Sequence, residues 1–200
     1  MHAILDGNRI REEKVKIILA SRSPRRIQLL KQIGIEADVQ PSELAEVVSS
    51  SSPREVVRLL SLQKAKDIAD RQEEPAVVIG ADTVVAADGQ ILGKPKSHET
   101  AYAMIRGLQG RTHQVYTGVT VICGENTVSF VECTEVEVAP MTAEEMQSYA
   151  DSAEPMDKAG GYGIQGLFGR YVTRIVGDYN NIVGLPVAHL YQVLKELGAV

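Results

Sequence analysis

Cysteine is scarce: two in 200 residues, Cys123 and Cys133, at a spacing that suits neither a metal site nor a disulfide framework. That argues against a stapled secreted fold and points to a reducing compartment, read as the cytoplasm. Positive charge is also in short supply. Against 26 Asp and Glu there are 21 Lys and Arg, a net charge of −5, so coating nucleic acid through bulk charge is not expected. Any anionic ligand must meet a local basic cluster. No apolar run approaches the ~18 residues that cross a bilayer, so no membrane partner is expected either. The opening "MHAILDGNRIREEKVK" has too short an apolar stretch for a signal peptide. What remains is 44% apolar and 24% charged residues over a length that can bury a sizeable core. Residues 1–15 read as a polar N-terminal extension and 16–200 as one domain.

Periodicity divides that domain. "KIILA" (16–20) reads as a buried strand. "SPRRIQLLKQIG" reads as a helix with Ser23 as N-cap, Pro24 in the first turn, Ile27, Leu30 and Ile33 on one face, and Gly34 as the stop. A second helix follows Ser52, whose spacing to Glu55 is that of a capping box. Residues 76–80 read as a buried strand that ends at an acid, Asp82, before a hairpin turning at Asp88-Gly89. A third helix is capped by Ser97. Thr112 to Val138 alternates as two long strands around Gly124-Glu125-Asn126, and Thr142 with Glu145 opens a fourth helix. A glycine-rich loop, "KAGGYGIQG", precedes a last strand and a terminal helix. Helices alternate with strands early and long hairpins come later, which predicts an α/β fold with a mixed sheet.

Several side chains stand out chemically. Arg25 and Arg26 follow a helix start, where cations oppose the helix dipole by roughly 0.3–1 kcal/mol each. An anion would resolve the conflict, met by backbone N–H groups, the hydroxyls of Ser21 and Ser23, and two guanidinium forks. Otherwise Ser23 is a plain cap and both arginines are solvated. Asp82, beside Thr83, is a candidate base or metal ligand; the competing reading is a carboxylate bonded to local backbone. Glu46 is a weaker candidate in a loop. Lys64 lies close to an apolar helix face, where it needs an anion or must snorkel. Lys94 and Lys158 are surface cations taken singly, but with the arginines they form the inventory for a polyphosphate. Gln165 offers a donor and an acceptor side by side, complementary to an imide edge such as that of uracil or thymine. His113 reads as structural, because no triad or metal spacing surrounds it.

Taken together, "LASRSPRR", "GADTVV", "LGKP", "LQGRTHQVYTGV", "DKAGGYGIQG" and "NNIVGLP" resemble, in order, the Maf family of nucleotide pyrophosphatases. The resemblance covers nearly all of the chain from Lys16. It implies an α/β fold related to inosine-triphosphate pyrophosphatases: a mixed, largely antiparallel elongated sheet flanked by helices, with a cleft between two lobes, in a homodimer. It implies metal-dependent hydrolysis of a nucleoside triphosphate to monophosphate and pyrophosphate, with Mg or Mn as the cation. The family's proton acceptor matches Asp82. Its phosphate-binding positions match Ser21, Ser23, Arg26, Lys64, Lys94 and Lys158. The branch selective for dTTP and UTP is marked at Arg25, Thr83 and Gln165. An expected acid pair is reduced here to Glu46 after Ala45, so Glu46 is the less complete match as a metal ligand beside Asp82. Two rival readings are a purine-directed pyrophosphatase for inosine or xanthosine triphosphate and a nucleotide-sensing regulator of septum formation acting through a protein partner.

Overall fold

A computed structural model describes residues 15–46 and 48–200. The expected N-terminal extension, apart from Val15, lies outside the described residues. Lys16–Leu19 form β1, paired in parallel with β2 (Asp38–Val39) and β3 (Ala76–Ala87); its apolar run is buried on both faces, Ile17 and Leu19 in one cluster with Leu30 and Leu190 and Ile18 in another with Ala65 and Ile68. From β3 onward the sheet turns antiparallel, through β5 (Thr112–Cys123), β6 (Asn126–Val138) and β7 (Val172–Val176), while β4 (Gln90–Leu92) pairs with the far end of β3. The mixed sheet expected from the element order is thus observed. Asp88 and Gly89 close the β3–β4 hairpin with φ of 49° and 74°, the left-handed pair that a two-residue turn of this kind requires.

The period-2 alternation of β3 and β5 sorts the helices. Val77, Ile79 and Ala81 of β3, with Val119 and Val121 of β5, bury against α1 (Pro24–Gln32) and α6 (Val187–Glu196). Farther along the same face, Val85 and Val115 bury against α3 (His98–Leu108), α4 (Ala143–Ala150) and the aromatic rings of Tyr149, Tyr162, Phe168 and Tyr171. These are two lobes on one face of a continuous sheet. The opposite face is covered by α2 (Pro53–Ala69), which packs Val56, Val57 and Leu60 on Val84, and Ala65 and Ile68 on Val78. A short α5 (Tyr179–Val183), not foreseen from the pattern, lies beside the seam between the lobes.

Four local expectations need correction. Ser52 holds the N-cap position of α2 but makes no cap hydrogen bond; Glu55 turns instead to Arg58, at 2.7 and 3.1 Å. Ser23 likewise caps α1 in position only. The buried face of α1 is formed by Arg26, Leu29 and Leu30, with Ile27 and Ile33 half-buried at its margins. And β3 does not stop before Asp82. It runs unbroken through it, because β5 pairs with β3 from Val77 to Ala86. The capping box at Thr142 and Glu145 does form, with both bonds present.

Candidate active site

Asp82 is exposed to a ligand through a gap in the sheet rather than through a strand end of its own. One edge of β3 is covered by β1 as far as Ile79 and by β4 from Val85 onward, so among the described residues no strand partners 80–84 on that edge. Alternation sends Asp82 to the α2 face and Thr83 to the face of the two lobes. A cleft of about 930 Å³ wraps this bare edge and reaches both.

On the α2 side, Gly80 lets the helix lie close. A Cβ at that position would stand 2.3 Å from the Ser61 carbonyl oxygen. That approach brings Lys64 Nζ within 2.6 Å of Asp82 Oδ1 and 2.7 Å of Glu46 Oε1. Lys64 therefore neither snorkels nor waits for a ligand: it bridges two carboxylates. The two acids are driven apart. Burial pushes the Asp82 carboxyl above the usual carboxylate range, against the pull of Lys64 and Arg26. The hydrogen bond from Lys64 holds the more exposed Glu46 below it. Of the pair, Asp82 is the better proton acceptor and Glu46 the more firmly ionised.

On the lobe side, Arg26 takes over where β1 ends. Ile79 accepts a ladder bond from Ala20, and the next carbonyl on that edge, Ala81, accepts from Arg26 Nη1 at 2.9 Å. The guanidinium also donates to Gly184 O (2.8 Å), Ser21 Oγ (3.0 Å) and Thr83 Oγ1 (3.1 Å). The reading of Arg26 as solvated is thereby corrected: it is buried, and burial lowers its pKa while the Asp82 charge opposes that. Hydrogen-bond direction follows from Thr117, whose hydroxyl donates to the Asn181 carbonyl at 3.0 Å. Thr83 must then give its proton to Thr117, at 2.9 Å, and accept from Arg26. Thr83 can offer a ligand a lone pair but no proton. Ser21 is the reverse: its oxygen accepts from Arg26 and from the Ser23 N–H, leaving a proton to donate.

At the mouth, Arg25 Nη1 and Lys158 Nζ converge on Asp157, at 3.2 and 2.6 Å. Burial raises the Asp157 carboxyl, yet these two cations outweigh it and the net shift is downward. All eleven residues put forward from the sequence as site candidates line this one cleft: Ser21, Ser23, Arg25, Arg26, Glu46, Lys64, Asp82, Thr83, Lys94, Lys158 and Gln165. Sequence reasoning missed Asp157, although an acid directly before a candidate cation in "DKAGG" was a usable signal. It also missed Thr117 and Asn181, fully buried polar residues in the seam between the lobes. A threonine between Val115 and Val119 on the inward-facing period of β5 was the available cue for Thr117. His113 is buried against Tyr162 at 2.6 Å and does not line the cleft.

As a cation site, the two carboxylates around Lys64 Nζ already hold one positive charge between them. Among the described residues no three His, Cys, Asp or Glu side chains converge. Two carboxylates are the donor type that a hard divalent ion takes, and alone they would leave most of its coordination positions to other ligands. No helix among the described residues is long and apolar enough to cross a membrane.

Comparison with known proteins adds the following. A family model described as Maf-like protein matches residues 16–197. The dTTP/UTP pyrophosphatase of Carboxydothermus hydrogenoformans is 51% identical over 186 residues, covering 92% of this chain and 100% of that one. Those of Lachnoclostridium phytofermentans and Agathobacter rectalis are 48% and 49% identical, covering 92% of this chain and 95% and 98% of theirs. A solved nucleoside-triphosphatase, described as a dITP/XTP pyrophosphatase, from Mycobacterium abscessus covers 92% of this chain and 98% of its own. It is 15% identical with a TM-score of 0.47, too distant to bear on substrate.

Proposed function

The chain belongs to the Maf-like protein family, and on that footing we propose that it hydrolyses dTTP and UTP to the monophosphate and pyrophosphate. The carrying observation is the bare edge of β3. There a buried carboxylate with a raised pKa shares a cleft with Arg25, Arg26, Lys64, Lys94 and Lys158, in a chain whose net charge is −5. With Arg22 also in the lining, six cations outnumber the four acids Glu43, Glu46, Asp82 and Asp157 in one cleft of a protein that is acidic overall, which suits a polyphosphate.

Asp82 takes a proton from the water that attacks the α-phosphorus, and its raised pKa makes it a stronger base than a surface aspartate. The bond to the bridging oxygen breaks and pyrophosphate leaves. Ser21 donates its free proton to a phosphate oxygen. Arg25, Lys94 and Lys158 offset the charge that builds on the leaving group, with Arg25 and Lys158 released from Asp157 to do so. Arg26, its donors largely committed to Ser21, Thr83, Ala81 and Gly184, acts by shaping the corner and by its charge. Asp82 and Glu46 are the residues that would hold Mg²⁺ or Mn²⁺; bound there, the ion supplies charge neutralisation and a more acidic water. At the base, the Gln165 amide pairs with the imide edge of uracil or thymine, Thr83 offers an acceptor, and Arg25 contributes to the choice of substrate.

The reading includes house-cleaning of modified pyrimidine nucleotides and a homodimer, both of which the family resemblance implies, and a cytoplasmic location, which the scarcity of cysteine suggests. Incubation with dTTP or UTP and Mg²⁺, followed by product identification, tests the activity. Monophosphate and pyrophosphate are expected. Orthophosphate with nucleoside diphosphate, or no turnover, would overturn α-attack. Light scattering that gives a monomer mass would remove the dimer.

A further inference from the structure

One half-buried carboxylate outside the cleft lining is built into the loop that carries Gln165. Glu154 opens a 3-10 turn, Glu154–Asp157, just after α4. Its Oε2 accepts from the Leu167 N–H at 2.8 Å, and its Oε1 from the Phe168 N–H at 3.4 Å and the Tyr149 hydroxyl at 3.0 Å. Those two amides begin the 3-10 turn Leu167–Tyr171 and have no partner within it. The backbone carbonyl of the same residue accepts from Lys158 Nζ at 2.6 Å.

Two glycines bracket Ile164 and Gln165, and this arrangement explains both. A Cβ at Gly166 would lie 2.3 Å from Glu154 Oε1, and one at Gly163 would lie 2.7 Å from Lys158 Cε. The space a side chain would take is filled by the carboxylate on one side and the lysine stem on the other. Gln165 itself is exposed and lies outside any helix or strand. Its backbone is held by the Gly166 to Gly163 turn bond and by what grips residues 167 and 168. An amide that reads a base needs placement to within about 0.5 Å, which such a segment lacks unless anchored.

We propose that Glu154 is a positioning residue for pyrimidine selectivity, locking segment 163–168 so that the Gln165 amide stays at the cleft rim. This rests on the reading of the cleft as a pyrimidine nucleotide site. The test uses the full chain and the ratio of kcat/KM for UTP over CTP, whose base edge has donor and acceptor exchanged. Glu154→Gln puts an amide N–H against one of the loop N–H groups; the ratio is expected to fall at least about tenfold, through KM rather than kcat. Gln165→Ala should lower it comparably, and the double variant should be no less selective than Gln165→Ala alone. Gly166→Ala displaces the same carboxylate at an ordinary φ of −108° and should reproduce the loss, which keeps the claim testable if Glu154→Gln folds poorly. An unchanged ratio in both single variants, or multiplicative losses in the double variant, would overturn it. If the unaltered protein turns over neither dTTP nor UTP, the functional reading falls. The positioning claim is then decided by amide exchange over 163–168, which should rise at least about tenfold in Glu154→Gln; unchanged exchange refutes it.

Discussion

Gly80→Ala tests whether the helix-to-sheet distance sets the Lys64–Asp82 contact. Gly80 and Asp82 are two residues apart on β3 and face α2 together. The added Cβ would meet Ser61 O at 2.3 Å, Ala65 N at 2.6 Å and Ala65 Cβ at 2.8 Å. Two of these are backbone atoms, which cannot swing aside. Ordinary contact begins near 3.4 Å, so this turn of α2 must retreat by roughly 1 Å. Lys64 lies within that turn and moves with it, away from a carboxylate now 2.6 Å from its Nζ. Overpacking of this kind costs about 1–3 kcal/mol. In a chain of this length that is a Tm lower by roughly 3–10 °C. Misplacing a catalytic group by about 1 Å costs up to about 100-fold in rate, so kcat/KM for UTP should fall about 10- to 100-fold. Gly118→Ala is the control. Its Cβ would meet Val57 O at 2.3 Å, nearly two turns from Lys64 on the same helix, so stability should fall similarly and activity less. A Gly80→Ala protein with unaltered kcat/KM, or a Gly118→Ala protein that loses more activity than Gly80→Ala, would refute the reasoning.

Asp82→Asn should cut kcat by about 10²–10⁴ while leaving Tm at pH 7.5 unchanged or higher, because a buried charge is removed; a fall of several degrees would contradict the burial argument. Arg26→Lys cannot serve Ser21, Thr83, Ala81 O and Gly184 O together, and each orphaned buried acceptor costs about 1–3 kcal/mol, so urea unfolding should show a loss of about 2–4 kcal/mol. Stability equal to that of the unaltered protein would mean that the corner tolerates a point charge. His113 is buried, and burial lowers its pKa from 6.5 to about 4. The unfolded chain therefore binds the proton more readily, so its stabilisation is full above pH 6.5 and is lost as pH falls toward 4. The slope approaches about 1.4 kcal/mol per pH unit, for a total near 3 kcal/mol. Urea titrations of His113→Phe between pH 7.5 and 4.5 should show a shallower decline, and parallel curves would rule His113 out.

The elements whose signals are local were legible in the sequence. The apolar run of β1, Pro24 in the first turn of α1, the Asp88-Gly89 turn and the Thr142–Glu145 box each depend on a few adjacent residues, and each formed. The inventory of the cleft was legible too, because cations in an acidic chain and an acid after an apolar strand are unusual choices wherever they fall. What each group touches was not. Ser52 and Glu55 had the spacing of a capping box, but Arg58 one turn on competed for the same carboxylate. Arg26 read from the sequence as a phosphate contact or else a solvated cation, and its burial was hidden because its acceptors, the carbonyls of Ala81 and Gly184 and the hydroxyl of Thr83, are far away in the chain. Asp82 became available to a ligand because β1 stops at Leu19, opposite Ile79, and β4 stops at Leu92, opposite Val85, so that among the described residues no strand pairs with the edge of β3 between them. Residue chemistry and short-range period are properties of neighbours in the chain and can be read there. A gap in a sheet edge depends on where separate strands start and stop against one another, and the long-range pairing of the folded chain decided it.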